Sequence, residues 1–142
     1  MLFPKKAKHR KWQTRREHPE KVGYDTKGAT VSFGSFGLKA IDPARITANQ
    51  IEAARRVIKR AVGKTGKVWI RIFPDRPVTK KPAEVKMGKG KGDVDHYCTP
   101  IRPGRVLFEV DGVRDEVARE ALVKASKKLP IRAKVVSREI FE

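Results

Sequence analysis

The chain has 142 residues and a single cysteine, Cys98, so it fits one domain without an internal disulfide, in a reducing compartment. Its 34 lysines and arginines against 16 aspartates and glutamates give a formal net charge of +18. Solubility asks for a net charge of only about 2–8 on a small domain, and no stretch is apolar for the ~20 residues of a membrane-spanning helix. Residues 1–106 hold 26 basic and 9 acidic side chains, whereas residues 107–142 hold 8 and 7. One strongly basic surface beside a near-neutral flank points to a polyanionic partner.

Residues 1–28 read as an extended basic arm. The first sixteen carry Lys5, Lys6, Lys8, Arg10, Lys11, Arg15 and Arg16 and no acid, with only Leu2, Phe3 and Trp12 as bulky apolar groups. Such a segment buries too little to offset its ordering entropy and is expected to be loose until bound. Over residues 29–40, Val31, Phe33 and Ser35 alternate with Thr30, Ser32 and Gly34, which predicts a strand. Gly34 and Gly37 mark a bulge or a close backbone approach. Thr47 and Gln50 then form a capping box. Ile51, Ala54, Ile58, Ala61 and Val62 make one apolar helical stripe, and Gly63 stops the helix. Its opposite face shows Arg55, Arg56, Lys59 and Arg60, interrupted only by Glu52. A solvated face would interleave more acids, so this face is expected to meet phosphates.

Val68, Ile70 and Ile72 alternate with Trp69, Arg71 and Phe73 in a strand that is apolar on nearly both faces, which predicts a central position. Pro74, Pro77 and Pro82 argue against continuous regular structure beyond it. Residues 79–93 carry Lys80, Lys81, Lys86, Lys89 and Lys91 and the run Gly88-Lys89-Gly90-Lys91-Gly92 after Met87, a long cationic loop. Strands follow near 94–101 and 105–110, joined by a turn at Pro103-Gly104. A second helix is predicted over 114–127, with Val117, Ala118, Ala121, Leu122 and Ala125 inward and charges that suit its dipole. Leu129-Pro130 ends it, and residues 131–140 make a last strand. Two helices among mostly antiparallel strands define a single α+β domain over 29–142.

Enzyme chemistry finds no footing. The only Gly-Lys-Thr, at residues 63–65, has Ile58 where a phosphate-binding loop needs its first glycine, and it ends a helix instead of opening one. One cysteine and three histidines cannot furnish a familiar zinc set, and His96 with Cys98 reads as a packed strand pair. Asp93 and Asp95 balance the charge of the lysine loop. The glycines of that loop let the backbone come close to a nucleic acid, and each lysine is a point charge for a phosphate. The aromatics form no paired stacking platform, so backbone and shape recognition fits better than base reading. Composition does not separate RNA from DNA. A free-standing nucleic-acid chaperone or architectural DNA binder therefore stands as the rival, with a nucleotide-dependent factor further behind.

Six strings resemble one family, the large-subunit ribosomal proteins called L-sixteen in bacteria and L-ten-e in archaea and eukaryotes. They are Met1-Leu2-Phe3-Pro4-Lys5-Lys6, residues 33–40 (FGSFGLKA), residues 50–56 (QIEAARR), residues 67–75 (KVWIRIFPD), Met87-Gly88-Lys89-Gly90-Lys91-Gly92, and residues 103–109 (PGRVLFE). The resemblance runs in the same order along nearly the whole chain. It implies a hammerhead-like α+β fold, binding to large-subunit ribosomal RNA, contact with tRNA near the aminoacyl site, and neighbouring ribosomal proteins as further partners. It also implies a cytoplasmic place in the ribosome, no catalytic residue, no metal and no cofactor. The arm and the glycine-lysine loop would be the parts that reach toward RNA. Two departures stand out: Lys86 occupies a position where the family commonly has arginine, and the segment 17–29 is longer and more acidic than the family's usual linker.

Overall fold

The computed structural model describes residues 1–14 and 18–138. Arg15 and Arg16, named above in the arm, the start of the 17–29 segment and the end of the last predicted strand lie outside the described residues. Seven strands and two helices follow in the order β1 (Phe36–Ala40), β2 (Ala44–Thr47), α1 (Ala48–Val62), β3 (Lys67–Ile70), β4 (Arg76–Lys80), β5 (Asp93–Ile101), β6 (Val106–Asp111), α2 (Asp115–Ser126) and β7 (Ala133–Ser137). They form an α+β fold with two antiparallel sheets, a four-stranded one ordered β3-β6-β1-β7 and a three-stranded one ordered β2-β5-β4.

The main core lies between the four-stranded sheet and the two helices. Every residue of β6 from Val106 to Val110 is buried, because β3 and β1 flank it on both edges. Against it pack Leu38 from β1, Ile51, Ala54 and Ile58 from α1, and Ala118, Ala121 and Leu122 from α2. The helices also pack on each other. α1 begins as its sequence dictates. Gln50 donates its backbone N–H to the Thr47 hydroxyl at 3.3 Å, and Thr47 donates its own to the Gln50 side-chain oxygen at 2.9 Å. It ends at Gly63, whose φ of 66° lies in the left-handed region. Ala61, assigned to the inward stripe, is exposed at the rim of the last turn.

Three expectations need correction. Residues 29–35 are not a strand, and β1 starts only at Phe36, because the N–H groups of Ser32, Phe33 and Gly34 turn instead toward the Glu109 carboxylate. β3 is an edge strand and not a central one. It is apolar on two sides because α1 lies against it and Phe33 stacks on Trp69, with ring centroids 6.3 Å apart. β4 runs straight through Pro77, which an edge strand tolerates since its outer N–H positions need no partner. The turn expected at Pro103-Gly104 does join β5 to β6, and it passes the chain from one sheet to the other. β2, only four residues long, went unread.

Gly34 shows why a glycine stands where the chain crosses the end of β6. A Cβ there would meet the Val110 carbonyl oxygen at 2.6 Å. Cys98 lies in the middle strand of the small sheet, 1% exposed, with Thr47 and Arg76 as its register partners. Burial pushes its thiol pKa up.

Candidate nucleic-acid interface

Residues 1–14 form no regular element, and Lys5, Lys6, Lys8 and Arg10 are exposed while Lys11 is half-buried. The segment is held at two places. Leu2 packs against the main core. Trp12 lies under the Arg76 guanidinium, 5.8 Å from the ring centroid, and its carbonyl accepts a hydrogen bond from the Lys91 ammonium. The arm therefore reaches both β4 and the glycine-lysine loop, bringing Lys11 and Lys91 into one neighbourhood.

That loop is the β4–β5 connection, residues 81–92, with Lys80 as the last residue of β4. Lys86, Lys89 and Lys91 are exposed, and Met87 is 93% exposed. Gly88, Lys89 and Gly90 have φ of 110°, 61° and 100°, so three successive residues sit in a region that favours glycine. The backbone turns sharply there, and the half-buried Lys81 donates its ammonium to the Gly88 carbonyl. Gly92 closes the base of the loop beside Lys80 and Lys81.

The cations of α1 stand apart. Among the described residues no hydrogen bond or ion pair joins them to the arm or the loop. Glu52 accepts from Arg55 and, at 3.3 Å, from Arg56, and the Arg55 hydrogen bond holds the Glu52 carboxyl at a pKa of about 2. The same pairing raises the pKa of Arg55. Lys59 reaches the Gly66 carbonyl at 3.5 Å, and Arg60 is exposed. One carboxylate thus offsets part of a face that reads as uniformly basic.

A group absent from the sequence reading lies beside Trp12. Arg45 of β2, Arg76 of β4, and Arg102 and Arg105 of the β5–β6 turn line a concavity of about 440 Å³. Among the described residues Asp25 is the one acidic residue in its wall. Asp25 donates its backbone N–H to the Pro103 carbonyl at 2.9 Å and accepts from the Arg105 Nη1 at 3.4 Å. The Arg105 Nε is buried and has no hydrogen-bond partner among the described residues. These arginines are far apart in sequence and form no run. The signal they share is a proline within two residues of each: Pro43, Pro77 and Pro103.

Fold and surface together define a small basic α+β protein whose cations come together from an arm, a loop and two strand ends, and among the described residues no cluster of acids, histidines and cysteine could hold a metal ion. The chain matches the family described as ribosomal protein L16p/L10e over residues 4–136. It is 56% identical to the large ribosomal subunit protein uL16 of Halorhodospira halophila, over 99% of this chain and 100% of that protein. It is 58% identical to the uL16 of Caulobacter vibrioides over 97% of this chain and 94% of that one, and 56% identical to that of Afipia carboxidovorans over 97% and 98%. The chain belongs to the uL16 family of ribosomal proteins, a structural family and not an enzymatic one.

Proposed function

We propose that this chain is a structural constituent of the large ribosomal subunit that binds large-subunit ribosomal RNA and contacts tRNA near the aminoacyl site. The observation that carries the RNA reading is the meeting of Trp12, Arg76 and Lys91. It holds two lysine-rich segments side by side, where like charges repel unless a polyanion lies across them. On this reading residues 1–28 are an RNA-binding arm and residues 79–93 an RNA-proximal loop. Lys5, Lys6, Lys8, Arg10, Lys11, Lys80, Lys81, Lys86, Lys89 and Lys91 neutralise phosphates, and Arg55, Arg56, Lys59 and Arg60 add a second footing. Most such contacts fix register and do not read sequence. Neighbouring ribosomal proteins are the remaining partners, and the place of action is the cytoplasmic ribosome. No helix among the described residues is long and apolar enough to cross a membrane.

The test is sedimentation of cell extract through a sucrose gradient in high salt. Stoichiometric co-migration with the large subunit is expected. Release at moderate salt, with equal affinity for duplex DNA and ribosomal RNA, would instead favour an architectural DNA binder. The tRNA contact rests on the family resemblance. Photo-crosslinking from position 87 in programmed ribosomes is expected to label tRNA, and failure to do so would remove that part alone.

A further inference from the structure

The loop cations differ in kind from those of the concavity. Lys80, Lys81, Lys86, Lys89 and Lys91 are all lysines, whereas all four cations of the concavity are arginines. An ammonium is a mobile point charge, while a guanidinium is a planar fork that holds two phosphate oxygens at once. Arg45 and Arg76 stand on the two edge strands that pair with β5, and Arg102 and Arg105 on a turn pinned by the Asp25–Pro103 backbone hydrogen bond. Arg76 is held against Trp12 and Arg105 against Asp25, so two of the four forks are placed before any ligand arrives, which lowers the entropy lost on binding. Among the described residues Asp25 is the single carboxylate in the wall, so the four arginines leave excess positive charge there.

We infer that this concavity is a seat for the phosphodiester of a sharply bent or extruded nucleotide of RNA. The inference rests on the RNA-binding reading above and deepens it. A volume of about 440 Å³ suits one nucleotide. It does not suit a duplex, whose backbone is convex and continuous. Among the described residues no aromatic lines the wall, so the seat grips backbone and leaves the base unread. Trp12 holds the Arg76 guanidinium from the neighbouring side and ties the seat to the arm. In this arrangement the lysine segments supply attraction that is diffuse and salt-sensitive. The arginine seat supplies a geometric requirement that only folded RNA with a suitable bend meets.

The experiment conserves charge and removes the fork. Full-length wild type and the double variant Arg45→Lys/Arg102→Lys are titrated with a large-subunit RNA transcript and with polyuridylate at one fixed salt. Both side chains are exposed, and circular dichroism with thermal unfolding checks that the variant is folded. The ratio of the two affinities is expected to fall about tenfold in the variant. An unchanged ratio in a folded variant, with wild type still preferring the ribosomal transcript, would overturn the seat and leave the RNA reading intact. A wild type that does not prefer the transcript would sink the RNA reading and the seat with it. A parallel arm adds inorganic phosphate or guanosine monophosphate at millimolar concentration. Little displacement of the transcript is expected, and displacement matched to occupancy of the arginines would assign the concavity to a free mononucleotide instead.

Discussion

Glu109 is fully buried in a chain of net charge +18. Its Oε1 accepts from the backbone N–H groups of Ser32 and Phe33 at 2.8 Å and of Gly34 at 3.1 Å. Its Oε2 accepts from the Arg71 guanidinium at 2.9 Å, which also donates to the Thr30 carbonyl at 2.8 Å. Three successive N–H groups aimed at one oxygen make a concave anion site of the kind that usually holds a phosphate, here filled from within the molecule. Replacing Glu109 by Gln leaves Arg71 facing a neutral amide in a buried place. The expected cost is about 3–5 kcal/mol in urea denaturation, and a cost below about 1 kcal/mol would show that the pair is dispensable. Glu52 acts at the surface of α1. Its folded pKa of about 2 lies below the ordinary 4.5, so the unfolded chain binds its proton first. The stability it contributes is fully present above pH 4.5 and is lost as pH falls toward 2. Glu52→Gln is expected to flatten that part of the acid-unfolding curve, measured by circular dichroism against the wild type. It also frees Arg55 and Arg56.

Among the elements, β6 carries the packing. Phe108 is fully buried at its centre, paired with Leu38 of β1 on one edge and Ile70 of β3 on the other. Phe108→Ala is expected to cost about 3–5 kcal/mol, read from chemical denaturation. Elements defined by near neighbours in sequence were legible: the α1 cap at Thr47 and Gln50, its stop at Gly63, and the inward alanines of α2. Elements defined by distant partners were not. Whether the strand around Val68 is central or peripheral depends on what lies beside it, and apolar cover from α1 and Phe33 imitates a central position. The alternation at Val31, Phe33 and Ser35 suggested a strand. Glu109, more than seventy residues away, takes the N–H groups that a strand would have used. The same holds for the surface. The lysine loop reads directly as a run, whereas Arg45, Arg76, Arg102 and Arg105 become neighbours only once two sheets are built.

At the scale of the whole molecule, the lysine loop stands apart from the structural packing. Most of the main core belongs to the four-stranded sheet with its helices, with Ile46 and Ile101 added from the smaller sheet, while the loop and the arginine concavity hang on the three-stranded one. Lysines of the loop can therefore be changed with little effect on folding. Lys89→Ala/Lys91→Ala is expected to reduce the slope of log affinity against log salt for ribosomal RNA by about two, close to one per lysine, with the unfolding midpoint nearly unchanged. An unaltered slope would mean that these side chains meet no phosphate. The division has a practical side through Cys98, the one thiol in the chain, shut inside the small sheet between Thr47 and Arg76. Alkylating reagents can reach it only when those strands part, so its labelling rate is a clock for the breathing of the sheet that bears the loop, read without introducing any new residue.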